Sequence, residues 1–452
     1  MTRAAKTGVK HALSVLAAVC TFTSAEARAN PLDTFGLGSR EASMGGAASA
    51  DARDFSANYY NPAGLARARG LEISIGYFRA DHFLKANGND NHVDPVKGLV
   101  AGVVAPGKLF GIPFAFGLAL HLPDDRLSRV RALRQEQPRW ELYDNRNQRI
   151  FLATNVAVSP FPWLQLGGGL SYMSSTAGRL DITGTANIFR VEQSQLRHEV
   201  DADLTAIRYP QLGVRVALSK RAALAVVYRG QFQLDLDLTA KLQGDISSLT
   251  TAFYEIEAKS VNAFLPRQVV IGGSWLLGDD LRANVDLTWL NWHAYISPVA
   301  SLDVALNIPP PAGGWPAGIT PPTTPAKNHV VAIEMHDRVV PHLGAEWRAF
   351  HKKDSEGFLR AGYEYAKSPI SPQSGATNYM DRDRHSVSLG LGVRVLAPLS
   401  VLPGDVRLDV HTQLSELTSA VTRKRDPADF IGDYTAGGHI WNVGATMTVG
   451  FP

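Results

Sequence analysis

Charged side chains recur at two-residue spacing through this chain. Arg282 and Asp286, Glu346 and Arg348, Arg360 and Glu364, and Arg407, Asp409 and His411 all alternate with apolar neighbours; Arg215, Arg229 and Arg394 sit in similar surroundings. Guanidinium and carboxylate groups on one face can neutralise each other in charge-assisted hydrogen bonds, or grip a ligand carboxylate bidentately. Arg282 and Arg360 are the candidates for the second role, and ion pairing is expected of the rest. Enzyme chemistry has no motif: there is no G-x-S-x-G, no H-E-x-x-H, no P-loop and no G-x-G-x-x-G opening a βαβ unit. The histidines are scattered without ligand spacing. Asn87 to Asn91 with Asp94 resembles a cation-binding loop but lacks the EF-hand pattern, and reads as a polar exposed loop. No catalytic residue, metal or cofactor is therefore expected.

The elements that carry these charges are strands. From Leu281 to Trp289, Leu281, Ala283, Val285, Leu287 and Trp289 alternate with Arg282, Asn284, Asp286 and Thr288. Val406, Leu408, Val410 and Leu414 alternate with Arg407, Asp409, His411 and Gln413. One apolar and one polar face is the period-two signature of a strand. In a soluble sandwich the apolar face would point inward; in a membrane barrel it meets lipid and the polar face lines the interior.

Export is written at the start of the chain. Arg3, Lys6, Lys10 and His11 precede an apolar run, Ala12 to Phe22, too short to span a bilayer, and two A-x-A sites follow at Ala25–Ala27 and Ala27–Ala29. Residues 1–29 read as a signal peptide, which carries the only cysteine, Cys20; no disulfide is expected after it. The formal charge of +3 argues against a nucleic-acid partner. No later segment reaches the roughly 18 uninterrupted apolar residues of a membrane helix.

Loop lengths separate the remaining options. About fourteen strands are expected, at 70–82, 96–105, 113–122, 148–158, 164–173, 206–218, 222–240, 266–277, 280–296, 338–350, 357–366, 385–396, 404–414 and 439–451. Their links alternate short and long, with long ones at 83–95, 123–147, 174–205, 241–265, 297–337, 367–384 and 415–438. Short periplasmic turns with long extracellular loops mark an outer-membrane barrel. Aromatic residues near strand ends, among them Trp163, Trp275, Trp347 and Trp441, fit headgroup level. An even strand count closes the barrel and leaves no edge. The expected fold is all-β: a transmembrane antiparallel β-barrel of about fourteen strands at 70–452.

Four stretches carry a resemblance. The Gly/Ala/Ser-rich segment from Asn30 to Ala66 ends in Tyr60-Asn61-Pro62-Ala63-Gly64. Further on stand Leu265-Pro266-Arg267-Gln268-Val269 with Asp286-Leu287-Thr288-Trp289, Val340-Pro341-His342-Leu343-Gly344-Ala345-Glu346-Trp347-Arg348, and Leu359-Arg360-Ala361-Gly362-Tyr363-Glu364-Tyr365 with Ser368-Pro369. In this order they resemble the FadL family of outer-membrane transporters, including its toluene and xylene uptake members. The resemblance implies passive uptake of hydrophobic molecules, long-chain fatty acids by default and aromatic hydrocarbons as the alternative. Ligand would be caught outside, pass a hatch, and leave sideways through the wall.

The resemblance also implies that residues 30–69 form an N-terminal hatch plugging the lumen, with Phe35, Gly36, Gly38, Met44, Asn61, Pro62 and Ala63 as hatch residues; a purely structural N-terminal arm is the alternative. Ile246, Leu249, Phe253 and Ile256 fall at near-helical spacing, which predicts a short amphipathic helix over the mouth. Together with Ile188 and Phe189 in the preceding long loop, they would form the extracellular capture surface. Arg126, Arg129, Arg131 and Arg134 would face lipopolysaccharide. The barrel-assembly machinery is the expected partner in biogenesis, reading the last strand that ends at Phe451, and a monomer is expected. A general porin, an outer-membrane phospholipase and a loop-borne adhesin are the competing functions.

Overall fold

The computed structural model describes residues 31–125, 136–143, 150–186, 195–246, 250–295, 301–314, 333–396, 404–426 and 429–451. The expected signal peptide, the basic cluster Arg126–Arg134, and Ile188, Phe189 and Leu249 lie outside them.

Strands dominate: β1 (Glu72–Ala86), β2 (Asn89–Asp90), β3 (Val96–Leu109), β4 (Ile112–Pro123), β5 (Phe151–Phe161), β6 (Leu164–Ala186), β7 (Gln195–Ala217), β8 (Ala222–Arg229), β9 (Phe232–Ile246), β10 (Thr250–Leu265), β11 (Gln268–Leu277), β12 (Leu281–Leu290), β13 (Ser301–Asn307), β14 (Arg338–Lys352), β15 (Ser355–Ala366), β16 (Arg384–Leu396), β17 (Asp405–Thr422) and β18 (Tyr434–Gly450). Fourteen of them, β1, β3 to β8, β11, β12 and β14 to β18, form a ring of antiparallel pairs. The ring closes where β1 meets β18, from Glu72 opposite Gly450 to Ala86 opposite Ala436. Each expected strand corresponds to one member of this ring.

The period-two pattern is resolved in favour of lipid. Along β16, Leu389 is 56% exposed and its neighbour Ser388 fully buried; Val387, Leu391 and Val393 follow Leu389 outward. The polar face points inward, as a barrel with lipid outside requires. The lumen is not polar all round, however. Between the charged walls of β12 and β14 to β17 and the hatch, the inward positions of β1 and β3 to β5 are mostly small or apolar: Phe78, Ala80, Leu84, Val96, Val100, Val104, Ala115, Ala119, Ala153 and Ala157.

Three of the long links contain paired strands among their described residues. Residues 174–205 continue β6 and β7 as a paired hairpin as far as Thr185 opposite Gln195. The helix expected over 241–265 is a strand: β10 pairs with β9, and β9 runs parallel to the upper part of β6. Ala252, Tyr254, Ile256 and Ala258 alternate with Phe253, Glu255, Glu257 and Lys259, and this period-two pattern outweighs the coincidental helical spacing of Ile246, Leu249, Phe253 and Ile256. Within 297–337, β13 adds to the edge of β10. The strand expected at 222–240 breaks at Gly230, whose N–H goes to the Pro210 carbonyl (2.7 Å). Proline there has no N–H to return, so the ladder ends.

Substitution of Leu389 by Arg, on the lipid face, is expected to destabilise the folded barrel by about 2–4 kcal/mol. Urea titration in phospholipid vesicles measures it; an unchanged midpoint would place Leu389 away from lipid.

Candidate functional site

Residues 31–69 fill the lumen. Short helices at Pro31–Phe35, Ser39–Ala42 and Ala57–Tyr60 are followed by a 3-10 turn, Pro62–Arg67. Small residues let the segment fold on itself. Gly45 (φ 64°) and Gly46 (φ 77°) make a left-handed turn that other residues adopt only with strain. Asp54 accepts from the Ser56 N–H (3.0 Å) and hydroxyl (2.6 Å) ahead of the helix at Ala57. Asn61 caps the 3-10 turn by accepting from the Ala63 N–H (3.0 Å), and its amide donates to the Ser49 carbonyl (2.7 Å).

Arg40 is the centre of the attachment. Its guanidinium donates to Glu346 twice (2.9 and 2.8 Å), to Glu41 (2.9 Å) and to Asp51 (2.5 Å), all of them buried. Glu346 also accepts from Arg360 (2.6 Å), which donates to Asp409 (2.6 Å). Asp51 is approached by Arg282 (3.3 Å) and Arg67 (3.7 Å), and Asp54 by Arg407 (3.6 Å). A second set of bonds holds the hatch backbone. Asp286 accepts from the N–H groups of Ala48 (2.9 Å) and Ser49 (2.8 Å); Gln211 and Arg229 donate to the Tyr59 carbonyl (2.7 and 3.0 Å), and Arg215 to that of Ala50 (2.7 Å).

Wall glycines admit the hatch. A Cβ on Gly344 would stand 2.7 Å from the Met44 carbonyl oxygen; on Gly362 it would collide with the backbone of Met44 and Gly45, and on Gly390 with Ser43. On the opposite side Gly102 and Gly117 make room for Phe55 and Leu65.

Burial, together with the nearby Asp54 carboxylate, pushes the Glu41 carboxyl up to about 8, against the pull of Arg40. Asp51 goes the other way: despite burial, Arg40 and Arg282 hold it well below the usual carboxylate range.

Above the hatch lies a cavity of about 80 Å³, bordered by Leu32, Phe35, Tyr60, Leu142, Tyr143 and Trp292 and by the guanidiniums of Arg229, Arg338 and Arg384. Its outer cover is the segment at 136–143. There Arg139 stacks on Tyr379 (4.2 Å), hydrogen-bonds its hydroxyl, and donates to Glu141 (2.7 Å); Met380 N–H closes on the Arg139 carbonyl (2.7 Å). Arg384 donates to Glu364, and Arg338 donates to the Lys367 carbonyl (3.1 Å), but their Nε atoms are buried and bond nothing among the described residues. An apolar cavity of about 150 Å³ is what accommodates a benzene molecule. This one must widen before any hydrophobic ligand enters.

The sequence profile described as outer membrane protein transport protein (OMPP1/FadL/TodX) matches residues 148–448. The chain belongs to that family. Its similarity to solved structures reaches further. A Pseudomonas aeruginosa FadL homologue shares 12% identity at a TM-score of 0.57, covering 95% of this chain and all of the other. The P. putida toluene transporter TodX shares 16% identity at 0.51, covering 92% and 99%, and the monoaromatic hydrocarbon channel CymD 15% at 0.50, covering 94% and 99%. These identities carry the fold alone. No curated protein matches the chain in sequence. Family membership and the fourteen-strand barrel place the protein in the outer membrane of a Gram-negative-type bacterium.

Within this family member, the expected hatch residues come together. Phe35 and Gly36 border the cavity; Gly38, Met44, Asn61, Pro62 and Ala63 are buried or pressed against the wall. Arg282 and Arg360 do not border the cavity and are engaged by carboxylates of the protein itself. Arg360 is buried between Glu346 and Asp409, and Arg282 faces Asp51, so both hold the hatch. The guanidiniums at the cavity are Arg229, Arg338 and Arg384. Sequence reasoning missed Arg40, although a lone Arg-Glu pair inside a stretch of glycine, alanine and serine is itself a signal. Of the extracellular residues, Phe253 is exposed on β10.

Arg40→Ala leaves Glu346 and Asp51 buried beside an empty site, a loss of about 3–5 kcal/mol. Amide-exchange protection over 31–69 is expected to fall at least about 100-fold, with the barrel strands unaffected; retained protection would show that the ion pairs are not what holds the hatch. The raised Glu41 carboxyl adds a pH dependence. A released hatch gives up that proton near the ordinary value of 4.5, the seated one near 8, so the seated state loses stability as pH rises from about 4.5 to about 8 and levels off above. In Glu41→Gln the protection factors, corrected for intrinsic exchange, are expected to lose this slope.

Proposed function

We propose that this protein passes hydrophobic small molecules across the outer membrane by way of the cavity above the hatch. One observation carries the reading: the cavity has an apolar and aromatic side, with Leu32, Phe35, Leu142, Tyr143 and Trp292, facing a polar side with Arg229, Arg338, Glu364 and Arg384, while the lumen beneath it is filled by an ion-paired plug. A greasy molecule gains about 0.8 kcal/mol for each methylene kept out of water. It has no favourable path through the buried charges around Arg40, so sideways release into the bilayer is the route this proposal assigns. Residues 30–69 serve as the gating hatch, with Phe35 and Gly36 as the part that must yield when the cavity widens. Capture falls to the hairpins β6–β7 and β9–β10, which project beyond the barrel, with Phe253 presenting an apolar side chain there.

Long-chain fatty acids are the proposed ligands, because Arg338 and Arg384 offer buried Nε donors to a carboxylate. Aromatic hydrocarbons are the second reading, favoured by the small size of the cavity and by the fold shared with the toluene transporter TodX and the channel CymD.

Uptake of labelled oleate and labelled toluene by cells lacking their own transporters separates the two. Oleate uptake is expected with this protein, reduced about tenfold by Arg338→Gln, and abolished for both ligands by Asn61→Ala. Toluene uptake without oleate uptake would establish the second reading, and neither, despite correct insertion, would refute the proposal.

A further inference from the structure

The periplasmic rim is divided into two chemically different sectors. From Leu109 to Leu120 and from Phe151 to Gly178 the chain contains no Asp, Glu, Lys or Arg, although the exposed Lys108, opposite Pro113, flanks the first stretch. These stretches supply the β3–β4 and β5–β6 turns. The remaining described turns of that rim are charged: Lys220 and Arg221 after β7, Asp279 and Asp280 after β11, Lys352, Lys353 and Asp354 after β14. Arg221 pairs with Asp279 across two of these turns (2.8 Å) in full contact with solvent.

In this sector, where Lys108 is the flanking charge, the apolar surface does not stop where the strands end. Phe116 stands opposite Val156 on the outward face of the wall, with Phe114 opposite Val158 one step lower. Below them come Ile112, Leu109, and the stacked rings of Phe161 and Trp163, whose centroids are 5.6 Å apart and nearly coplanar in orientation. At the tip Phe110 is 96% exposed. Its backbone is left-handed (φ 52°), as is that of Gly111 (φ 80°). Two-residue hairpins of this kind ordinarily put Asn, Asp or Gly at the first of these positions, and a bulky residue there is an outlier. A phenylalanine in that place therefore spends backbone strain to hold an aromatic ring outward at the end of the turn.

We propose that the β3–β4 and β5–β6 turns form an aromatic foot embedded in the phospholipid of the inner leaflet, while the charged turns opposite stay in periplasmic water. The occupant follows from continuity. The apolar face of β4 and β5 already meets acyl chains, and the same surface runs unbroken onto the turn tips, where ring side chains prefer the headgroup level. A soluble protein partner would leave that continuity unexplained. The foot fixes how deep this side of the barrel sits.

Nitroxide labels test it. In the full-length protein with Cys20→Ser, single cysteines are placed by Phe110→Cys, Trp163→Cys and Lys353→Cys. The variants are folded into vesicles of phosphatidylethanolamine and phosphatidylglycerol, and only heat-modifiable, folded barrel is measured. Collision with oxygen, which concentrates in lipid, is compared with collision with a water-soluble nickel chelate. Labels at 110 and 163 are expected to favour oxygen by at least threefold over the label at 353. If the labels at 110 and 163 meet nickel as freely as that at 353, the foot is in water and the proposal is wrong, with a periplasmic partner the remaining use of the patch.

Discussion

A guanidinium taken out of water must be met by carboxylates, and Arg40 is met by Glu346 and Asp51, with the Glu41 carboxyl as a third acceptor. That requirement organises the lumen. Glu346 arrives from β14 already bonded to Arg360, which in turn reaches Asp409 on β17; Asp51 comes from the hatch itself and brings Arg282 of β12 with it. Removing one partner of such a buried set costs more than the net worth of the pair, because the other is left charged and unsatisfied. The plug and the wall therefore specify each other: the hatch cannot sit elsewhere without stranding Arg40 and Asp51, and Glu346 shares its charge between Arg40 of the hatch and Arg360 of the wall.

The two sides of the lumen hold the hatch by different physics. On the side of β12 and β14 to β17 the contacts are ionic, with glycines at 344, 362 and 390 letting backbone meet backbone. Toward β3 and β4, Phe55 and Leu65 pack over Gly102 and Gly117 among small apolar side chains. Polar grip on one side and apolar packing on the other fix both the position and the orientation of a segment that has little regular structure of its own. They also leave the aromatic groups of Phe35 and Tyr60 facing the cavity.

Much of this was legible in the sequence. Alternation such as Leu389 against Ser388 located all fourteen wall strands, because a lipid-facing barrel enforces period two more strictly than a soluble core does. Loop lengths pointed to the sidedness, and the family resemblance of the glycine-rich start pointed to the plug. What misled was local coincidence: Ile246, Leu249, Phe253 and Ile256 satisfy helical spacing, yet Ala252, Tyr254, Ile256 and Ala258 satisfy strand spacing equally well, and cross-strand pairing with β9 decided it. The roles of individual lumen arginines were illegible for another reason. Arg360 and Arg338 look alike in sequence; one is neutralised by carboxylates from neighbouring strands and the other has a buried Nε donor at a cavity with no bond among the described residues, a difference set by contacts distant in the chain.

The claim on which the rest turns is that the seated hatch closes the lumen. Ion conductance of the purified, folded protein in a planar lipid bilayer measures this directly at neutral pH. A plugged barrel predicts no steady current, with at most brief openings. A steady, porin-sized ion current from the intact protein would contradict the account, because it would mean that the ion pairs around Arg40 leave an open aqueous path.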